Sequence, residues 1–148
     1  MKAKSLGLAA LLLATLPGVS LAADKVVHLA FNNAVVAATQ SGKLDGSVKF
    51  YLAGTQPAGQ VSVINDNVTT NRKTNAFGKS DQVTCDWALQ SALISLQDDA
   101  KKAGANAVVD IVSNYDDKAY SDSQNYECHV GFLMSGVALK AKLAKVQP

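Results

Sequence analysis

A chain of 148 residues, 48% apolar and 18% charged, has the size and composition of one ordinary globular domain and requires no second. Its 14 basic residues exceed its 12 acidic ones only through Lys2 and Lys4 at the extreme N-terminus. A domain with no further basic excess, and only the isolated pairs Arg72-Lys73 and Lys101-Lys102, lacks the footprint of a nucleic-acid binder, and anionic membrane surfaces are disfavoured on the same ground.

Residues 1–22 read as a cleavable signal peptide. Lys2 and Lys4 precede an apolar run over 6–16, then Pro17-Gly18 and the small-residue site Ser20-Leu21-Ala22, with cleavage between Ala22 and Ala23. The run is too short to cross a bilayer as a helix. Neither Cys85 nor Cys128 lies near the cleavage point, so no lipid attachment is expected there. The expected mature protein, 23–148, is a single periplasmic or secreted domain without a membrane span.

Residues 25–31 predict a strand. Asn32 or Asn33 is placed to cap a short helix that stops by Gly42, and 48–52 predicts a second strand after the Leu44-Asp45-Gly46 turn. After the loop 54–59, residues 60–72 carry Val61, Val63, Ile64 and Val68 among polar residues, an exposed strand whose register shifts near Ile64. Residues 73–79 lead into the clearest element. From Asp81 on, Cys85, Leu89, Ala92, Leu93, Leu96, Ala100 and Ala103 recur at helical spacing. Ser80 is placed to cap this helix, Asp81 and Lys101-Lys102 suit its dipole, and Gly104 suits its left-handed end. The β-branched run 107–112 and the run 126–133 predict two more strands, joined by a polar hairpin loop over 116–125. Ser135-Gly136 suggests a bulge before the chain resumes as a strand. The resulting expectation is an α+β fold: a mostly antiparallel sheet of four or five strands, mostly hairpin-joined, packed by one long helix and a short one. The tetrapeptide Asn-Ala-Val-Val occurs twice, at Asn33 and at Asn106, which chance explains.

Two cysteines in an exported protein predict one disulfide, Cys85 to Cys128, and loop-closure entropy gives such a cross-link roughly 4 kcal/mol at most. Cys128 shares a strand face with Val130 and Phe132, and Cys85 lies on the helix face turned to the sheet, so both point inward. A reactive thiol is the alternative, because Cys85 is expected in the first turn of a helix, where the dipole lowers a thiol pKa. Zinc-ligand spacing is absent: the adjacent Cys128 and His129 leave a strand on opposite faces. The polar loop gathers Asp116, Asp117, Tyr120, Asp122 and, nearby, Glu127 and Tyr126. That set suits a protein partner or a divalent cation, although it lacks the alternation and glycine of a calcium loop. No phosphate-binding loop, nucleophile elbow or His-Glu-x-x-His motif occurs, and no Ser or Cys is locally tied to His28 or His129. Asp98-Asp99 reads as solvated helix surface, and Asn67-Val68-Thr69 is a glycosylation sequon by letter. No catalytic residue, cofactor or metal is assigned.

The succession of helix, Gly104-Ala105-Asn106-Ala107-Val108-Val109, hairpin, cysteine-containing strand and Gly136-Val137-Ala138-Leu139 resembles two bacterial groups over roughly the C-terminal half. One is the small YbjQ-like heavy-metal-binding domain family; the other is the periplasmic domain of the RcsF envelope-stress lipoprotein. The N-terminal half, including Lys73-Thr74-Asn75-Ala76-Phe77, looks like a set of small exported proteobacterial proteins. The resemblance implies a compact sheet packed by helices with the cysteine strand central, and structural bridging by Cys85 and Cys128. The functional expectation is a non-catalytic extracytoplasmic binding or structural module with a protein partner in the cell envelope, connected with envelope stress; the alternatives are a divalent or heavy-metal-ion binder and a thiol redox protein.

Overall fold

The structure, a computed structural model, describes residues 24–148. The segment 1–22 and its cleavage site at Ala22 and Ala23 lie outside the described residues. The elements follow in the order β1 (Lys25–Ala30), α1 (Phe31–Gln40), β2 (Lys49–Leu52), β3 (Gln60–Asn75), α2 (Asp81–Ala103), β4 (Ala107–Tyr115), β5 (Lys118–Tyr120), β6 (Asn125–Val130) and β7 (Met134–Gln147). The class is α+β, but the sheet corrects the expectation of four or five mostly antiparallel strands. It has seven strands and is mixed, because β2 runs parallel to β4. The direction has a physical origin: β3 and α2 intervene between them, a connection long enough to bring the chain back the same way round, which a hairpin cannot do.

Strand β7 is the spine of the sheet. It pairs with β3 along one edge, from Asn75↔Met134 to Gln60↔Gln147, and the other edge is shared by β6 at Ser135 and Gly136 and by β4 from Leu139 to Ala144. β1 adds to β6, and β5 folds back on β4. Among the described residues only β4–β5 and β6–β7 are hairpins between consecutive strands, so most of the sheet is assembled from residues far apart in sequence.

Helix α2 forms where the spacing places it. Ser80 Oγ accepts the Val83 amide at 3.3 Å, and Gly104 closes the helix at φ +74°. Its buried face, Cys85, Ala88, Leu89, Ala92, Leu93, Leu96 and Ala100, packs in one core with Val137, Leu139, Ala141 and Leu143 of β7 and with Val108 and Ile111 of β4. Ala103, the last residue of the predicted stripe, is exposed. Leu89, Leu93 and Leu96 are wholly inaccessible, and each contributes about 1.5–3 kcal/mol of transfer free energy. A bulge at Asp110 (φ +51°) between Val109 and Val112 re-phases β4 so that both Val108 and Ile111 face the helices.

Four local expectations are corrected. Helix α1 starts at Phe31 with Ala30 as its N-cap and no side-chain cap, because the buried Phe31 ring anchors the first turn and its amide bonds to Gln124 O at 3.0 Å. The 116–125 segment is not a plain loop: it contains β5, reached through an Asp116-Asp117 turn with φ of +53° and +58°, a conformation Asp tolerates better than most residues. Ser135-Gly136 does not break β7; Gly136 is needed because a Cβ there would lie 3.0 Å from the Tyr115 ring. Phe132 does not share the inward face of Cys128 but stands in the β6–β7 turn, 79% exposed. The register shift expected near Ile64 does occur, on either side of Asn65, while β3 runs on to Asn75.

Candidate functional site

Strand β6 turns alternate residues to opposite sides of the sheet. Tyr126 and Cys128 point into the core and are completely buried, whereas Glu127 and His129 point to the face that carries no helix. Inside, Cys128 is bonded to Cys85, the fifth residue of α2, and both residues are inaccessible. No free cysteine remains among the described residues. Cys85 thus lies one position beyond the first helical turn, in a disulfide that an external thiol reaches only if the core opens. Next to it the Tyr126 hydroxyl donates to Asp86 Oδ1 at 2.7 Å, and burial together with that carboxylate pushes the phenol far above its ordinary range.

Outside, antiparallel pairing sets His28 of β1 opposite Glu127. Both histidines of the chain therefore meet one carboxylate: Glu127 Oε2 lies 3.2 Å from His28 Nε2, and Oε1 lies 2.8 Å from His129 Nε2. The β4–β5 hairpin supplies a tyrosine for each ring. Tyr120 stacks on His28 with centroids 4.4 Å apart, and Tyr115 stacks on His129 at 3.6 Å and 8° between planes. Gly136, directly across from His129, leaves the room that the Tyr115 ring occupies. The Glu127 amide donates to Ser113 Oγ at 3.1 Å, which fastens β6 to β4 beneath the row. The result is a continuous line Tyr120, His28, Glu127, His129, Tyr115 held by four strands.

The sequence-predicted loop residues divide between this row and the solvent. Glu127 is its centre and Tyr120 its flank. Asp122 supports Tyr120, accepting its hydroxyl at 3.1 Å, and takes the amides of Gln124 at 2.8 Å and Asn125 at 3.0 Å on its other oxygen. Those two amides hold the Asp122 carboxyl down at about 2, while burial and Asp122 raise the Tyr120 phenol. Asp116 and Asp117 sit apart, at the exposed hairpin turn beyond three ladder pairs. His28, His129 and Tyr115 were not singled out as site residues. The i, i+2 spacing of Glu127 and His129 on a strand was a signal for one half of the row; His28 needed the β1–β6 register, which no local pattern encodes.

Chemically, each imidazole nitrogen at the centre faces a different oxygen of Glu127, not a shared point between them. Among the described residues no group of three or more His, Cys, Asp or Glu side chains is arranged to hold a metal ion. No helix among them is long and apolar enough to cross a membrane. A groove of about 370 Å³ opens beside Tyr115, bounded by Lys73, Asp24 and the β6–β7 turn. No protein-family model matches the chain, and no curated protein matches it.

Proposed function

We propose that the protein is a non-catalytic extracytoplasmic binding module of the cell envelope, which contacts a protein partner through the row Tyr120, His28, Glu127, His129, Tyr115. The observation that carries this reading is the row itself: aromatic and hydrogen-bonding groups fixed in place on an uncovered sheet face before any partner arrives. Rigid aromatic side chains with polar tips are favourable contact residues because little side-chain entropy is lost when they are covered. The non-catalytic assignment is supported by the bonding of the row. Both imidazoles direct Nε2 at Glu127, and no serine, threonine or cysteine bonds to either ring among the described residues. The extracytoplasmic assignment is supported by the buried disulfide and by the leader-like residues 1–22. The resemblance to an envelope-stress sensor supports a partner in the envelope.

A photo-crosslinking amino acid at position 120 tests the reading in intact cells. A discrete adduct in the envelope fraction that disappears with Glu127→Ala is expected. An adduct indifferent to Glu127→Ala, or turnover of an ester, peptide or phosphate substrate abolished by His129→Ala, would overturn it.

A further inference from the structure

At 16 residues β3 is the longest strand of the sheet, and it pairs with β7 alone. Its outer edge divides in two. Over 60–67 the ladder shifts on both sides of Asn65, whose side-chain oxygen takes the Asn67 amide at 3.0 Å, so this half is bulged and holds one of its own amides. From Val68↔Ala141 to Asn75↔Met134 the register on β7 is unbroken and free of proline, and among the described residues no strand pairs with the opposite edge. A regular strand turns alternate amides and carbonyls outward, and the group complementary to such an edge is another extended backbone. Helix α2 packs alongside and makes the edge one wall of a groove of about 580 Å³, with Arg72 and Lys73 on the strand and Ser91, Ile94 and Ser95 on the helix. Arg72 leans to the helix side, donating to Ser95 Oγ at 3.1 Å, and the stem of Lys73 lies beside Gly136 on the other face. Neither cation forms an ion pair among the described residues.

We infer that this edge binds an extended peptide segment of another protein, which adds to β3 as a strand and sets two adjacent acidic residues opposite Arg72 and Lys73. Backbone complementarity asks for a strand, and charge decides whose. The stretch 68–75 holds both cations and no acidic residue, so pairing it with its own copy would crowd the cations of both copies into one short ladder. Adjacent residues of a strand point to opposite faces, as Arg72 and Lys73 do, so two successive carboxylates meet both cations whichever way the peptide runs. Asp98 and Asp99 line the groove one turn beyond Ser95, which confines the acidic residues to that one place and disfavours a peptide acidic throughout.

This inference does not rest on the histidine row, and its test leaves that row untouched. A short fluorescent peptide of alternating threonine and valine, with two adjacent glutamates at its centre, is titrated with the exported protein and followed by anisotropy. The expected result is saturable binding roughly tenfold tighter than that of the same peptide with lysines in place of the glutamates. Arg72→Glu with Lys73→Glu, both at exposed positions, should reverse that preference while the protein still melts cooperatively. N-methylation of alternate peptide amides should abolish binding in one phase and spare it in the other, because only the amides facing β3 donate to it. Absence of saturable binding, equal binding of the two peptides, a preference that survives the paired substitution, equal loss in both methylated phases, or a protein dimer in sedimentation that the peptide dissociates would each overturn it.

Discussion

The two faces of strand β6 carry consecutive residues with opposite consequences. Tyr126 and Cys128 have no contact with solvent, and their partners, Asp86 and Cys85, both lie on α2, so this face ties sheet to helix. Glu127 and His129 keep side-chain exposures of 13% and 18%, and their partners come from neighbouring strands and the β4–β5 hairpin. The difference teaches where free energy is concentrated. An inward bond is strong because breaking it strands a polar group in the core or frees a long stretch of chain. An outward hydrogen bond keeps contact with water on one side, and its net contribution is about 1 kcal/mol. The outer row is thus poorly explained as a device for stability, which is a reason to treat it as a surface for contact.

The sharpest way to break the comparison is from the inside. Replacing both Cys85 and Cys128 with Ala removes the cross-link between residues separated by 43 positions and is expected to cost up to about 4 kcal/mol in denaturant unfolding. The intact protein should resist alkylation until it is unfolded and reduced, whereas rapid native-state labelling of Cys85 would favour the redox alternative. Tyr126→Phe comes next, at about 1–3 kcal/mol, because it leaves Asp86 without the phenol while preserving the ring that fills the core. The same bond predicts an alkaline limit. The folded phenol is raised above its ordinary value of about 10, so its contribution is complete below pH 10 and declines as the pH rises beyond it. The decline should be shallower in Tyr126→Phe when unfolding is followed between pH 9 and roughly 11, a window set by the ordinary tyrosine value.

The inner face was far more legible in the sequence than the outer one, and the reason is range. Helix α2 declares itself within 25 residues or so through cap, stripe and terminal glycine, all of which act over one or two turns. The disulfide followed from count and compartment, together with the inward face that periodicity gives each cysteine. Long-range pairing was not legible. The parallel register of β2 on β4, the β1–β6 pairing that brings His28 to Glu127, and the three-residue β5 depend on partners that no local window contains. The repeated tetrapeptide states the limit plainly: Asn33 to Val36 is helical, while Ala107 to Val109 of the second copy is strand. Ala34 of the first copy packs in the helix-side core, whereas Val109 of the second joins Ala107 and Ala144 on the opposite sheet face. Identical local preference was overridden by the surface each copy had to cover.

Smaller effects belong to the outer side. Asp122 has its folded pKa lowered from 3.8 to about 2 by the Gln124 and Asn125 amides, so its contribution is present above the ordinary carboxylate value and is lost as pH falls through about 2. Asp122→Asn should flatten the acid side of the stability profile between pH 4 and 2, read by thermal melting at each pH. It should also loosen Tyr120, whose hydroxyl loses an acceptor.

The smallest expected change in stability is also the most informative. Glu127→Gln keeps the shape of the side chain and removes its charge, and because the amide can still hydrogen-bond to the imidazoles of His28 and His129 the cost should stay within about 1 kcal/mol. Yet each imidazole then meets a neutral group, and one of the two must face the amide nitrogen in place of a carboxylate oxygen, so the row loses its symmetric fixing. The two histidine signals in a proton–carbon correlation spectrum are therefore expected to move and broaden while the Tyr126 and Leu93 signals stay put, and crosslinking from position 120 should weaken. A loss of several kcal/mol in Glu127→Gln would show instead that the outer face stabilises the fold as the inner one does, and the division of labour along β6 would have to be abandoned.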